Sequence, residues 1–595
     1  MSASPADLAA ATADGEPARS TDSGDPRDAS TGRLHPYPAA VLALAGGTAV
    51  WSAFPGRTLW WLAPVGVALI SLAVRGQRPR RAAWLGLLAG WAMFVPLLAW
   101  SGVYVGKLPW FALATLESLY VAVMAALTPP VWRLLARPSR SAGVRSHLRG
   151  AALTALGISG LWVLQEALRS RTPFGGFPWA RLAFSQTDGP LLGVASLGGA
   201  PAVTALVGLF GGLLAVALTA APDLLPIAHL LGGAGQARRG GQATGGEPAP
   251  AATGAVLLAA LVVTFAPAVI PRPTDGVREV QVAAVQGNVP APGLDFNAER
   301  RAVLDNHARA TTALADQVDA GTARRPDVVL WPENASDIDP TRNPDAAMVI
   351  QTAVDRIGVP VLVGTLLEEP AGHLSNVSIV WGPSRTAPGT PALGAPGSVP
   401  PGKGEYYVKR HPAPFGEYIP YRSFFRHFSD KVDLVRHDFV AGTRQPVLTA
   451  GGVRLGDVIC FEVAYDDLVR DGVRRGAEVL LVQTNNATFG FTDESVQQLA
   501  MSRLRAVESG RAVVHISTVG VSALIAPDGS LIQRSGHFTT DVLHAALPVR
   551  HTQTIATTVG AWPEGMLAAT GLLLATAGRR PRRRPAPVTD SEEPA

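Results

Sequence analysis

VRLGDVICFEVAYDDLVRDGVRRG, residues 453–476, changes period halfway along. VRLGDVIC (453–460) reads as a strand, and the residues after it carry the spacing of an amphipathic helix. Cys460, the only cysteine in 595 residues, stands at the junction. A strand-to-helix junction exposes a side chain and sets it near a helix N-terminus, which favours negative charge. A lone cysteine reads equally as an inert buried thiol, so Cys460 needs support from elsewhere. A single thiol excludes an internal disulfide framework.

Outward from this junction, residues 277–549 repeat the pattern. Strand-like runs stand at 280–288, 326–333, 360–366, 375–382, 453–460, 478–486 and 512–527, and EYYVKRHPAPFGEYIP (405–420) is read as a further strand. Helical patterns near 297–319, 343–357, 463–475 and 494–510 separate several of them. Such alternation predicts a layered α/β domain. The Pro-, Gly- and Ala-rich segment 384–404 predicts a surface loop, and 226–251 a linker.

The rest of the chain is of another kind. Overall 47% of residues are hydrophobic and 16% charged, against about 25% charged in an ordinary soluble chain. Eight apolar runs stand at 38–54, 58–75, 83–105, 109–132, 151–168, 200–221, 252–270 and 558–577, several near the ~20 residues that cross a bilayer. The net charge of +5 does not point to nucleic acid, because the arginines sit in short clusters between apolar runs. Arg75, Arg78, Arg80 and Arg81 follow run two, and Arg133, Arg137, Arg140, Arg145 and Arg149 follow run four. Arg238 and Arg239 follow run six, and Arg579 to Arg584 follow run eight. By the positive-inside rule both termini are cytoplasmic and the α/β domain lies outside; Arg169, Arg171 and Arg181 are the exception. The expected organisation is a disordered cytoplasmic tail (1–35), a helical membrane domain (36–272), the α/β domain (277–549), a last span (558–577) and a basic tail (578–595).

Only four of the 51 basic residues are Lys: Lys107, Lys403, Lys409 and Lys431. Ammonium and guanidinium are not interchangeable, so each is a candidate for a specific role. Glu333 ends the strand VVLWPE, Lys409 and Glu417 lie eight residues apart, and Cys460 follows. Singly each signal is weak, but WPEN, KRHPAPFGEYIP and VICFE in this order are specific. A thiol must ionise to attack an ester carbonyl, and Glu333 is the candidate general base. Lys409 and the backbone N–H of Phe461 are the candidate oxyanion donors. Glu117 and Glu166 fall within apolar runs, and structural roles are expected of both, Glu166 near the outer interface beside Arg169. The aromatic, basic segment YIPYRSFFRHF (418–428) fits either a membrane-surface element or a packed edge.

With these motifs the α/β domain resembles the nitrilase superfamily, and the whole chain resembles its membrane branch, the apolipoprotein N-acyltransferase family. The most specific matches are PFGEYIP (414–420), GFPWARLAFSQ (176–186), QGNVP (286–290) and the Cys-aromatic-Glu at 460–462. The resemblance implies about eight transmembrane helices joined to an extracytoplasmic α-β-β-α sandwich in a bacterial cell membrane. It implies a Glu333–Lys409–Cys460 triad with Glu417 as supporting acid, and Phe461, Glu462, Asn486 and Phe489 as substrate-binding residues. It implies ping-pong transfer of an acyl chain from a membrane phospholipid, through a Cys460 thioester, to the amine of a diacylglyceryl-cysteine on an apolipoprotein. No metal or cofactor is needed, no nucleic acid is a partner, and a monomer is expected. Against the family pattern, Phe461 stands where Tyr is frequent, and Thr488 and the Leu294–Phe296 region lack a common Trp. The competing reading is a membrane-tethered amidase or nitrilase that hydrolyses small amides with the same triad.

Overall fold

The computed structural model describes residues 33–135, 144–220, 250–289, 300–384 and 405–579. The expected tails, the linker 226–251 and the loop 384–404 fall largely outside these residues.

An apolar helix stands at each of the eight runs: α1 (Pro36–Ser52), α2 (Leu62–Ala73), α3 (Pro79–Leu97), α4 (Lys107–Val131), α5 (Val144–Arg169), α6 (Ala195–Ala220), α7 (Pro250–Phe265) and, at the far end of the chain, a last helix Trp562–Ala577. Four helical segments among the described residues are long and apolar enough to cross a membrane: 107–134, 144–169, 192–219 and 252–269. Small residues let these helices approach closely. The position of a Cβ on Gly160 would fall 2.5 Å from the backbone of Gly571, and one on Gly571 2.4 Å from Gly160.

Between the seventh and last of these helices the chain folds as strands and helices: β1 (Arg278–Gln286), α8 (Arg300–Asp319), β2 (Val328–Leu330), α9 (Pro344–Ile357), β3 (Val361–Leu367), β4 (Ser375–Trp381) and β5 (Tyr406–Val408) come first. The short α10 (Arg422–Phe425), β6 (Val447–Ala450), β7 (Val453–Ile459), α11 (Asp466–Arg474), β8 (Val479–Thr484), α12 (Glu494–Ser509) and β9 (Ala512–Ser517) follow. Next come β10 (Ala523–Ile525), β11 (Leu531–Arg534), β12 (Asp541–Val549) and α13 (Ile555–Val559), so the last helix is α14. One six-stranded sheet has the order β12-β1-β2-β3-β4-β5, the other β11-β10-β9-β8-β7-β6. The pairs β1–β2, β2–β3, β7–β8 and β8–β9 are parallel.

Strand alternation makes the layers. Val280, Val282 and Ala284 share one core with Leu455, Ile459, Val479, Leu481, Val514 and Ile516 of the other sheet. Ala283 and Val285 point the other way, into a core with Leu304 of α8 and Ile350 and Val354 of α9. On the second sheet the outward residues Val458, Leu480 and Val482 join Leu499 and Leu504 of α12 in a cluster that runs on into Trp100, Trp179, Phe184 and the apolar helices. The second sheet's helix layer is therefore built directly onto the helical region.

Three local expectations change. The strand over 405–420 stops at Val408, because Pro412, Pro414 and Pro420 cannot donate to a ladder. The run 512–527 is two antiparallel strands, β9 and β10. No α-helix starts at Cys460: a five-residue 3₁₀ turn, Cys460–Ala464, intervenes before α11. The expected lowering of the thiol pKa by a helix N-terminus therefore has no structural basis.

Candidate active site

Cys460 follows β7 with φ at +56°, in the left-handed region that costs a non-glycine residue ~1–3 kcal/mol. The turn behind it holds this conformation through Glu462, which is fully buried. Its Oε2 accepts the Ile459 N–H at 2.8 Å, and its Oε1 accepts the N–H groups of Arg410 and His411 at 2.7 and 3.0 Å. The Tyr407 hydroxyl donates to both oxygens, at 3.0 and 2.9 Å. Glu462 thus ties the Cys460 turn to the backbone immediately after Lys409.

Lys409 is 2% exposed. Its Nζ lies 3.3 Å from Glu333 and 2.9 Å from Glu417. Asn376 of β4 bridges the same two carboxylates from its Nδ2, at 2.7 and 3.1 Å. The second oxygen of Glu417 accepts the Ala413 N–H at 2.7 Å, closing the loop that follows Lys409. Thus β2, β4, β5 and β7, from both sheets, deliver Glu333, Asn376, Lys409 and Cys460 to one place. Asn376 is not among the residues the sequence singled out: it is a polar residue in a strand that the structure buries along its whole length.

The electrostatics define the chemistry. Burial and the Glu333 carboxylate push the Cys460 thiol well above its ordinary range, and Lys409 opposes them. Burial raises Glu333, with Lys409 pulling it back and Glu417 adding to the rise. The carboxylates around Lys409 raise its pKa well above the usual value, against the effect of burial, so it stays charged. These directions favour the protonated thiol over the thiolate at Cys460. The other acidic and imidazole groups differ. Glu494 is pushed up to about 8 by burial. His515 is pushed down to about 3 by burial, its Nδ1 2.8 Å from Ser502. His411 stacks on Tyr465.

The remaining expected site residues lie around this centre. Phe461 stacks on Phe177 and Trp179, with ring centroids 5.3 and 6.0 Å apart. Phe489 meets Trp100 edge-on at 5.0 Å. Asn486 is fully buried, donating to Glu494 at 2.6 Å and to Gln498 at 3.1 Å. In 418–428, Tyr421, Phe424 and Phe428 are exposed, while Phe425 packs on Phe415 and Phe174.

The segment 176–186 is the seam between the helical region and the sheets. Trp179 Nε1 donates to Gln497 at 2.7 Å, and the Tyr465 hydroxyl donates to the Gly176 carbonyl at 2.8 Å. Arg181 makes a two-pronged pair with Asp466 at 2.8 Å. Arg181 also lies 3.5 Å from Glu166, which corrects the expected Glu166–Arg169 pairing. Arg169 turns instead to Glu117 at 3.3 Å and to the Ala180 carbonyl at 2.9 Å, while Glu166 accepts the Leu182 N–H and the Thr204 hydroxyl, each at 2.8 Å. Both acids of the apolar helices are thus used to hold the seam.

The N-terminal region, residues 46–213, matches the model of the apolipoprotein N-acyltransferase N-terminal domain, and residues 281–557 match the carbon-nitrogen hydrolase model. An apolipoprotein N-acyltransferase of Mycolicibacterium smegmatis is 40% identical, over 89% of this chain and 83% of its own length. The chain belongs to the apolipoprotein N-acyltransferase family. The family member of Azotobacter vinelandii is 30% identical over 93% of this chain and 98% of its own length. Membership fixes the carbon-nitrogen hydrolase fold of the sheet region and its union with an N-terminal helical region.

Proposed function

We infer that this chain is an acyltransferase that completes lipoprotein maturation by N-acylating apolipoproteins, and we propose that Cys460 carries the acyl group. The observation that carries the reading is the buried clamp of Lys409 between Glu333 and Glu417, acting electrostatically on Cys460. Family membership supplies the reaction class.

In the proposed first half-reaction, Glu333 takes the thiol proton as Cys460 Sγ attacks an ester carbonyl of a membrane phospholipid. The new C–S bond leaves a tetrahedral oxyanion, which Lys409 and the Phe461 N–H stabilise. Collapse breaks the C–O bond, and Glu333 returns its proton to the departing lysophospholipid oxygen. In the second half, the free amine of a diacylglyceryl-cysteine attacks the thioester. Glu333 accepts a proton from that amine, the C–S bond breaks, and Glu333 passes the proton to the departing thiolate of Cys460. Glu417 shares the charge of Lys409 with Glu333 and keeps the ammonium in place. The aromatic group of Trp100, Phe177, Trp179, Phe461 and Phe489 gives an apolar surface beside the nucleophile for acyl chains. Tyr421, Phe424 and Phe428 suit an element that dips into the lipid surface.

The proposed architecture is eight membrane helices, with residues 277–549 forming an α-β-β-α sandwich on the extracytoplasmic face. The arginine alternation supports this orientation. The test is mass spectrometry of the chain after incubation with defined phospholipid. An acyl mass on Cys460, matching the lipid supplied, is the expected result. Free fatty acid released with no acceptor and no adduct would overturn it in favour of a tethered hydrolase.

A further inference from the structure

A second set of side chains reaches the nucleophile from β8 and α12, and the acyl-transfer steps above leave it unused. Thr484 Oγ1 and Gln498 Nε2 each lie 3.7 Å from Cys460 Sγ. Thr484, Asn486 and Gln498 are fully buried, and Glu494 is 1% exposed, behind the partly buried Cys460. The direction of the Gln498 amide is set by its neighbours. Its Oε1 accepts from Thr484 Oγ1 at 2.8 Å and from Asn486 Nδ2 at 3.1 Å, leaving Nε2 to face the sulfur. Asn486 is fixed in turn, because its Nδ2 also donates to Glu494 at 2.6 Å and its Oδ1 accepts from Ser517. Thr484 has one proton, and Gln498 Oε1 takes it. Its lone pair is then free to receive the thiol S–H, whereas the Gln498 N–H remains a donor in every state of the sulfur.

We propose that Gln498 is a catalytic residue of thioester formation: its Nε2–H donates to Cys460 Sγ as the proton leaves for Glu333, with Thr484, Asn486 and Glu494 as positioning residues that aim it. The inference rests on Cys460 being the nucleophile. Hydrogen bonds to a charged group are the strong ones, and a donor held in place stabilises charge as it develops on the sulfur. Burial pushes the Glu494 carboxyl up to about 8, which lessens the charge it sets against the sulfur at neutral pH. The other charged groups acting on the sulfur are Glu333, Lys409 and Glu417, from the loops after β2 and β5, and none is altered by a change at Gln498.

The single cysteine makes the test direct, because alkylation of the full-length folded enzyme with iodoacetamide reads Cys460 alone. Gln498→Met keeps length and removes the donor. Its alkylation-versus-pH profile should move to higher pH than that of wild type, and thioester formation from phospholipid should slow by about 10- to 100-fold. A purely structural role would lower activity without moving the profile. Gln498→Leu, which brings no charge, serves if the Met variant does not fold; its profile should move the same way. Wild-type profile and thioester rate, within twofold, in a folded variant would overturn the inference. Absence of any phospholipid-derived adduct on wild-type Cys460 would instead overturn the nucleophile assignment beneath it.

Discussion

Replacing Glu462 with Gln changes one charge and almost no volume, yet it should disable the site. Every group facing the carboxylate is a donor: the N–H groups of Ile459, Arg410 and His411, and the Tyr407 hydroxyl. A glutamine offers one acceptor oxygen and one NH₂. With the oxygen kept on Arg410 and His411, the NH₂ faces the Ile459 N–H, and that buried donor is orphaned at ~1–3 kcal/mol. The bonds that survive lose their charge assistance, for a total of about 2–4 kcal/mol. That energy is concentrated where the Cys460 turn meets the loop after Lys409, so the expected response is local movement of one against the other. A displacement of about 1 Å in reacting groups costs on the order of 10²-fold in rate. Single-turnover thioester formation in detergent, alongside a thermal-inactivation curve, separates the two effects. The expected outcome is a rate loss near 10²-fold with the chain still folded at the assay temperature. A Glu462→Gln enzyme with wild-type turnover would refute the argument that this carboxylate registers Lys409 against Cys460.

Lys409→Arg keeps the charge but not the compact shape that fits between Glu333 and Glu417. It should lose most activity, whereas Lys431→Arg, on an exposed 3₁₀ turn, should be mild in the same turnover assay. Asp457 is fully buried, and burial raises its pKa to about 8 against the opposing effect of the Ser378 hydroxyl. The folded chain therefore holds a proton that the unfolded chain releases near pH 4, so this residue erodes stability as pH rises from about 4 to 8. Asp457→Asn should raise the thermal midpoint more at pH 8 than at pH 5; an equal shift at both would contradict the cause given. Topology reporters fused at residues 240 and 300 should report opposite faces of the membrane, and a common face would overturn the proposed orientation.

Much of this was legible because the relevant signals are local. The eight apolar runs became eight helices, and the α/β alternation became two sheets, since periodicity reports burial directly. The order of Glu333, Lys409, Glu417 and Cys460 pointed to residues that lie together once strands from both sheets are assembled. Proline overrode strand propensity after Val408, and the 3₁₀ turn after Cys460 cannot be told from a helix by spacing alone. The pairing of Glu166 with Arg181 depends on how residues 176–186 double back beneath α5, a tertiary choice that sequence proximity to Arg169 obscures. Thr484, Gln498 and Asn376 were missed because a buried amide or hydroxyl looks, in sequence, like any polar residue on an exposed face.

Discharge of a Cys460 thioester by an amine is the sharpest test of the proposed chemistry. Enzyme loaded from phospholipid is freed of excess lipid and shown to carry a hydroxylamine-sensitive acyl group. It is then offered a diacylglyceryl-cysteine peptide with a free α-amine, or the same peptide with that amine acetylated. The account predicts that the free amine empties Cys460 and yields one N-acylated peptide per adduct, while the acetylated peptide, without a nucleophilic lone pair, leaves the adduct intact. Equal loss of the adduct with both peptides, with fatty acid released to water, would contradict it.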